Sequence, residues 1–336
     1  MKAIVHDPSE LHAIAKRVLE NPGQAVALVT LVRKTGSSYR QPGARMLVLR
    51  DGSTLGTISG GCLEQDLADL ARGMQESGQR FAEHTIDTRP IFGCQGTITL
   101  WIECVEPEDP DWMACIQGIL QSVEQRQPIT LVTGGSDGQP GATRLLDQVR
   151  HPGHDEGVGF RQSLGLRKRI VLVGAHTDVS AVVNLSKSLS WQCIQVVPGA
   201  QRRGWIATGD PAVQVLHVEA DSLLKHLQPD SATAVVIMTH HLGRDISYAR
   251  AVLNAGFAYV GMLGSARRRA ELFDHLMDLG DASLVLAADQ LHCPIGLDIG
   301  SETREQIALS MIAEVQASFA KRNGGRLRDA CQPIHP

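Results

Sequence analysis

The chain has 336 residues, 43% of them hydrophobic, 20% charged and 4% aromatic, with a formal net charge of -4; at roughly 100–200 residues per domain, that describes a globular protein of two domains. Neither sign of charge dominates, so no basic stripe of the kind that neutralises nucleic acid or an anionic membrane is expected. His6, Asp7 and Glu10 stand where a secretory signal needs an unbroken apolar core, and no run approaches the ~18 apolar residues of a membrane span, so a cytoplasmic location is expected. The seven cysteines follow neither a disulfide framework nor zinc spacing and are expected as reduced thiols.

Asp7-Pro8 forms an N-cap and first-turn pair, and Leu11, Ile14, Val18 and Leu19 then recur at helical spacing, predicting a short amphipathic helix. Apolar runs at 25–32 and 44–49 read as strands, and the Asp51-Gly52 turn leads the second of them into 54–59 as a hairpin. After Gly60-Gly61 the period changes: Leu63, Leu67, Leu70 and Met74 predict a helix from near Cys62 to near Gly78. Strands at 97–105 and 129–132 bracket a predicted helix over 111–125. Residues 1–133 are thus expected to form an α+β domain. The Gly-rich, polar stretch 134–166 reads as a linker with room for short strands. Beyond it, predicted strands at 169–173, 193–197, 234–238 and 258–262 alternate with helical segments such as 177–189 and end in a helix over 302–319. That rhythm predicts an α/β fold with a doubly wound parallel sheet over 167–322, followed by a polar tail at 323–336.

Several loops carry residues suited to chemistry. Gly60-Gly61-Cys62 falls at a strand-to-helix junction, where unpaired N–H groups and the helix dipole favour an anion, making Cys62 a candidate thiolate or soft metal ligand. The alternative is a buried cysteine behind a glycine turn. A second Gly-flanked cysteine, Cys94, precedes a strand. The loop 35–43 supplies the hydroxyls of Ser37 and Ser38 together with Arg40, a mixture that can hold a phosphate or be an ordinary surface loop. In the second domain Gly174 and His176 occupy the first βα turn, yet the G-x-G-x-x-G spacing is absent. Val197-Pro198-Gly199, followed by Arg202 and Arg203, stands where an acidic residue would hold a ribose, so intact NAD(P) binding is not expected. Thr239-His240-His241 lies at a carboxyl edge of the sheet, and Gly261, Gly264 and Ser265 lead into a helix that opens with Arg267, Arg268 and Arg269, a candidate anion site.

These motifs, in order, resemble those of the XdhC/CoxI family of accessory proteins that mature molybdenum hydroxylases such as xanthine dehydrogenase. The resemblance rests on Gly36-Ser37-Ser38, Arg40 to Met46, Gly56 to Glu64 with its S-G-G-C core, Gly93-Cys94-Gln95-Gly96, Thr239-His240, Tyr259 to Ser265, and Pro294 to Gly300. It implies an S-G-G-C domain joined to a Rossmann-like domain, and a chaperone rather than an enzyme. Such a chaperone binds and protects molybdenum cofactor (molybdopterin, in its mononucleotide or cytosine dinucleotide form), assists its sulfuration and inserts it. It implies cofactor contacts at Ser37, Ser38, Arg40, Arg45, Gly60, Gly61, Cys62, Glu64 and Cys94, with both cysteines as thiol contacts to the metal. In the second domain it implies Gly174, His176, His240, Gly261, Gly264 and Ser265. The partners implied are a molybdenum hydroxylase apoenzyme and a cysteine desulfurase or molybdopterin nucleotidyltransferase; a homodimer is compatible with it. The sequence departs from the family pattern at Gly174-Ala175-His176, where relatives tend to show G-A-G-H, and at Val197-Pro198, where an acidic residue is usual. The reading from another class is an NAD(P)-dependent oxidoreductase using the second domain.

Overall fold

Helix α1 (Ser9–Glu20), which follows the short strand β1 (Val5–His6), turns Leu11, Ile14, Ala15 and Val18 inward, the face its spacing predicts. The computed structural model describes residues 5–89, 96–134, 140–146, 159–199, 210, 212–280 and 290–329. The chain separates into two units, Met1–Arg167 and Lys168–Pro336.

In the first unit the long apolar strand β2 (Ala25–Gly36) is followed by β3 (Arg45–Leu49), β4 (Thr54–Gly56), helix α2 (Glu64–Glu76), β5 (Phe81–Asp87) and β6 (Gly96–Cys104). The five strands form an antiparallel sheet in the order β4-β3-β2-β6-β5. Alternation sends one set of side chains to each face. Val29, Leu31, Met46 and Leu100 pack under Leu67, Ala68 and Ala71 of α2. Leu28 and Leu47 face the opposite core, which is shared with α1 and with helix α3 (Pro110–Glu124) through Trp112 and Ile116. Strands β7 (Ile129–Thr133), β8 (Arg144–Leu145) and β9 (Phe160–Leu164) complete the unit in a second sheet ordered β1-β9-β7-β8. The stretch expected as a linker therefore supplies two strands of this sheet. Its inward positions include the polar Gln162, buried beside Arg45, which hid the strand pattern.

The second unit runs β10 (Arg169–Val173), α4 (Thr177–Ser188), β11 (Gln192–Val196), β12 (Val213–Leu216), α5 (Leu223–His226), β13 (Thr233–Ile237), α6 (Leu242–Val252), β14 (Tyr259–Met262), α7 (Ala266–Asp278), β15 (Leu291–His292) and α8 (Arg304–Phe319). Its six strands are parallel, in the order β12-β11-β10-β13-β14-β15. This is the doubly wound Rossmann-like order, which reverses direction between β10 and β13. Val171 and Val173 enter one core and Ile170 and Leu172 the other, so β10 is buried on both faces, as the near-continuous apolar runs of a parallel sheet require. Among the described residues no helix is long and apolar enough to cross a membrane.

Candidate functional site

The cysteine loop begins where β4 ends and closes where α2 starts. Gly60 and Gly61 adopt φ of +82° and +117°, left-handed conformations that side chains rarely tolerate. The first residue of α2, Glu64, turns its carboxylate back into this loop. Its Oε1 accepts hydrogen bonds from the Thr57 hydroxyl (2.6 Å) and from the Ile58 and Ser59 amides (2.9 and 2.8 Å). Its Oε2 accepts from the Ser59 hydroxyl (2.5 Å) and the Gly61 and Leu63 amides (2.8 and 3.1 Å). The Cys62 amide donates to Ser59 Oγ at 3.1 Å, and the Gly60 amide to Thr57 Oγ1 at 2.9 Å. Partial burial pushes the Glu64 carboxyl up, but the donors from Ser59, Thr57 and the backbone outweigh it and hold the group well below the usual carboxylate range. The anion that the loop's backbone donors were expected to attract is thus supplied by the chain itself, in the carboxylate of Glu64.

What the loop leaves outside is sulfur: Cys62 is exposed, not sealed in the core. The serine and arginine loop singled out in the sequence lies beside it. A Cβ at Gly60 would lie 2.9 Å from Cε1 of Tyr39, and one at Gly96 would lie 2.6 Å from the Ser37 carbonyl oxygen. The loop 36–43 therefore packs between the cysteine loop and the start of β6. The Ser38 hydroxyl donates to the Arg40 carbonyl at 2.6 Å, and the Arg40 guanidinium pairs with Glu10 at 2.5 Å, leaving it half-buried beside the site. Cys94, with Gly93 and Gln95, lies outside the described residues. Arg45 is the second arginine expected near the cofactor. Its position in β3 points it into the core, where it is 2% exposed and donates to Gln162, to Thr133 (3.1 Å) and to the Gly43 carbonyl (3.4 Å). From within the core it braces the second sheet.

In the second unit the carboxyl edge of the sheet gathers the remaining residues. A Cβ at Gly174 would lie 2.5 Å from the Met238 carbonyl oxygen, so glycine lets the loops after β10 and β13 approach. His176 precedes α4 and meets His240 edge to face, with ring centroids 4.8 Å apart. His240, at φ +57°, has its Nε2 3.1 Å from Asp178 Oδ2. Its neighbour Thr239 is buried and donates to Asp245 Oδ1 at 2.5 Å. Asp245, 0% exposed, accepts from Arg268 Nε and Nη2 at 2.8 and 2.6 Å. A cleft of about 820 Å³ opens at this edge, bordered by His240, Gly264, Ser265 and Arg268 and walled by Leu263 and Ile295. Gly261 is buried within β14, and Gly174 and His176 support the edge without lining the cleft.

Sequence reasoning missed Glu10, Asp178 and Asp245. The one signal that could have found the last two was an acidic residue in the first turn of α4 and α6, which reads equally well as helix-dipole compensation. Where a dinucleotide fold would place its ribose carboxylate, Val197 is buried and the Gly199 amide donates to Glu219 at 2.7 Å. Arg202 and Arg203 lie outside the described residues. Among the described residues no group of three or more His, Cys, Asp and Glu side chains is placed to hold a metal ion.

The chain is similar to known proteins along nearly its whole length. The molybdenum cofactor insertion chaperone PaoD of Escherichia coli (strain K12) is 28% identical over 320 residues, spanning 93% of this chain and 87% of that protein. A probable xanthine dehydrogenase subunit from Bacillus subtilis (strain 168) is 26% identical over 329 residues, spanning 90% of this chain and 96% of that protein. A crystal structure described as a xanthine dehydrogenase from Bacillus halodurans superposes with a TM-score of 0.75 at 23% identity, covering 97% of this chain and 98% of that one, which establishes a shared fold. The family model for XdhC and CoxI matches residues 19–86, which hold the cysteine loop, and the model for the XdhC Rossmann domain matches residues 170–315, which hold the cleft. With both of its domains matched in order, the chain belongs to the XdhC and CoxI family.

Proposed function

We propose that this protein is an insertion chaperone that takes molybdenum cofactor as cargo, shields it and delivers it to the apoenzyme of a xanthine dehydrogenase-type molybdenum hydroxylase in the cytoplasm. The observation that carries this reading is the exposed Cys62 thiol on a loop whose donors are already satisfied by Glu64. A loop held by its own hydrogen bonds loses little conformational freedom when cargo arrives, so contact energy goes into binding and not into ordering. Thiolate sulfur is the soft ligand that suits a metal carried on a dithiolene. Arg40, held half-buried by Glu10, offers a guanidinium for the cargo's phosphate. The similarity to PaoD supports the same cargo. Within this reading a cysteine desulfurase and a molybdopterin nucleotidyltransferase supply the sulfurated or cytosine-extended forms of the cofactor.

The test is purification of the full chain from a molybdate-fed host, with molybdenum analysis and fluorescence of the oxidised pterin. The wild type should carry near-stoichiometric pterin, and Cys62→Ser should lower retention or transfer to a purified apo-hydroxylase by about tenfold with an unchanged thermal melt. Wild-type protein devoid of pterin would end the cargo reading, and full delivery by Cys62→Ser would end the role of that thiol.

A further inference from the structure

We infer that the Rossmann-like unit carries a second ligand site, in the half of its sheet edge bounded by β13, β14 and β15, that takes a nucleoside monophosphate. It does not rest on the Cys62 contact that carries the cargo reading, although His240, Gly264 and Ser265, which border it, are among the cofactor contacts that the family resemblance implies.

The position follows from the strand order. At the reversal between β10 and β13 consecutive connections leave toward opposite faces, and the crevice between them is where such sheets bind ligands. A dinucleotide would extend across both halves of that crevice. In the half formed by β10 and β11, however, Val197 is buried and the Gly199 amide is taken by Glu219. The opposite half is open: its cleft of about 820 Å³ lies within the ~300–1,000 Å³ of small-molecule sites.

The walls supply three kinds of contact. Leu263, Ile295 and Ile307 form an apolar side suited to the face of a flat heterocycle. Asp178, with one oxygen at His240, presents a carboxylate that can accept from vicinal hydroxyls, which a ribose has. Arg268 supplies the contact for an anion. Its Nε and Nη2 are fixed on buried Asp245, which is itself fixed by Thr239, so the guanidinium is preorganised and Nη1 remains for a ligand oxygen. The field is not strongly positive, because Arg267 pairs with Glu271 at the rim at 3.0 Å and Asp245 offsets Arg268. A polyphosphate therefore has little to hold it, whereas one phosphate on a directed guanidinium fits.

Calorimetric titration of the full chain, purified without molybdate so that the outcome does not depend on cargo, tests this. Cytidine and adenosine monophosphates should bind saturably and at least tenfold more tightly than inorganic phosphate, and NAD should bind no more tightly than the monophosphates. Asp178→Asn should reduce binding of cytidine monophosphate to that of its 2′,3′-dideoxy analogue. Arg268→Lys keeps a cation for Asp245 but loses the planar fork, and should erase the advantage of cytidine monophosphate over cytidine. A free nucleotide and the nucleotide tail of a larger cofactor share this chemistry. The methyl ester of cytidine monophosphate separates them, because equal binding points to a tail and lost binding to a free nucleotide. Binding no tighter than inorganic phosphate, or unchanged in both folded variants, overturns the site.

Discussion

The cysteine loop of the first unit and the sheet edge of the second are both glycine-punctuated strand-to-helix junctions, and they resolve their unpaired donors in opposite ways. In the first, Glu64 reaches back and gathers six donors onto one carboxylate, while Cys62 stays exposed. In the second, the organising carboxylate, Asp245, is buried behind Thr239 and holds a side chain instead of the loop, and the space in front of Arg268 stays open. The same local sequence pattern thus yields an exposed thiol or an open cleft, depending on which donors a nearby acidic side chain captures.

The largest expected effect comes from emptying the filled loop. Glu64→Ala strands several backbone amides and, at about 1–3 kcal/mol for each charge-assisted bond partly replaced by water, should cost the first unit about 4 kcal/mol in urea unfolding. A variant as stable as wild type would show that water serves the loop as well as the carboxylate does.

The next effect separates the buried charges of the two units. In the second unit Arg169 pairs directly with Asp230 at 3.1 Å and Arg268 with Asp245 at 2.6 Å. In the first, Glu103 accepts from the Thr143 amide at 2.6 Å while Arg45 donates elsewhere, and burial pushes the Glu103 carboxyl up to about 7. A folded value raised above the ordinary 4.5 means that the stability due to its protonated form is complete below that value and is lost as pH rises through about 7. The stability difference between wild type and Glu103→Gln should therefore fall by about 3 kcal/mol from pH 4 to pH 8, at about 1.4 kcal/mol per unit. His12, pushed down to about 4 chiefly by burial, works with the opposite sign over much of the same range, so the comparison with the variant isolates Glu103. A flat difference would mean that burial does not hold Glu103 in its protonated form.

The smallest effect is expected where the pair is direct and one partner reaches solvent. Asp245→Asn keeps a partner for Thr239 but weakens the hold on Arg268, and should cost about 2 kcal/mol in thermal or urea unfolding. A cost above that of Glu64→Ala would reverse the ranking of the two junctions.

Much of the architecture was legible from pattern. The spacing of Leu67 and Met74 announced α2, and the regular alternation of apolar runs with helical segments announced a parallel sheet, because side-chain period is a local property of the chain. The strands at 144–145 and 160–164 were less legible, since their short, partly polar runs make sense only beside β7 and Arg45. At the site, glycine and cysteine marked the loop. The sequence could not show that Glu64 is its internal anion or that Arg45 faces inward.

From the chain of residues alone came the two-part organisation, the cysteine motif and the family, each resting on neighbours within a few positions of one another. Tertiary structure alone decided that the order of strands reverses between β10 and β13, that Asp178, Arg268 and Ile295 border one cleft, and that sulfur is what the first junction exposes. The physical reason is range: periodicity and turn chemistry act between adjacent residues, whereas which donor meets which acceptor across scores of positions is settled only when the cores close.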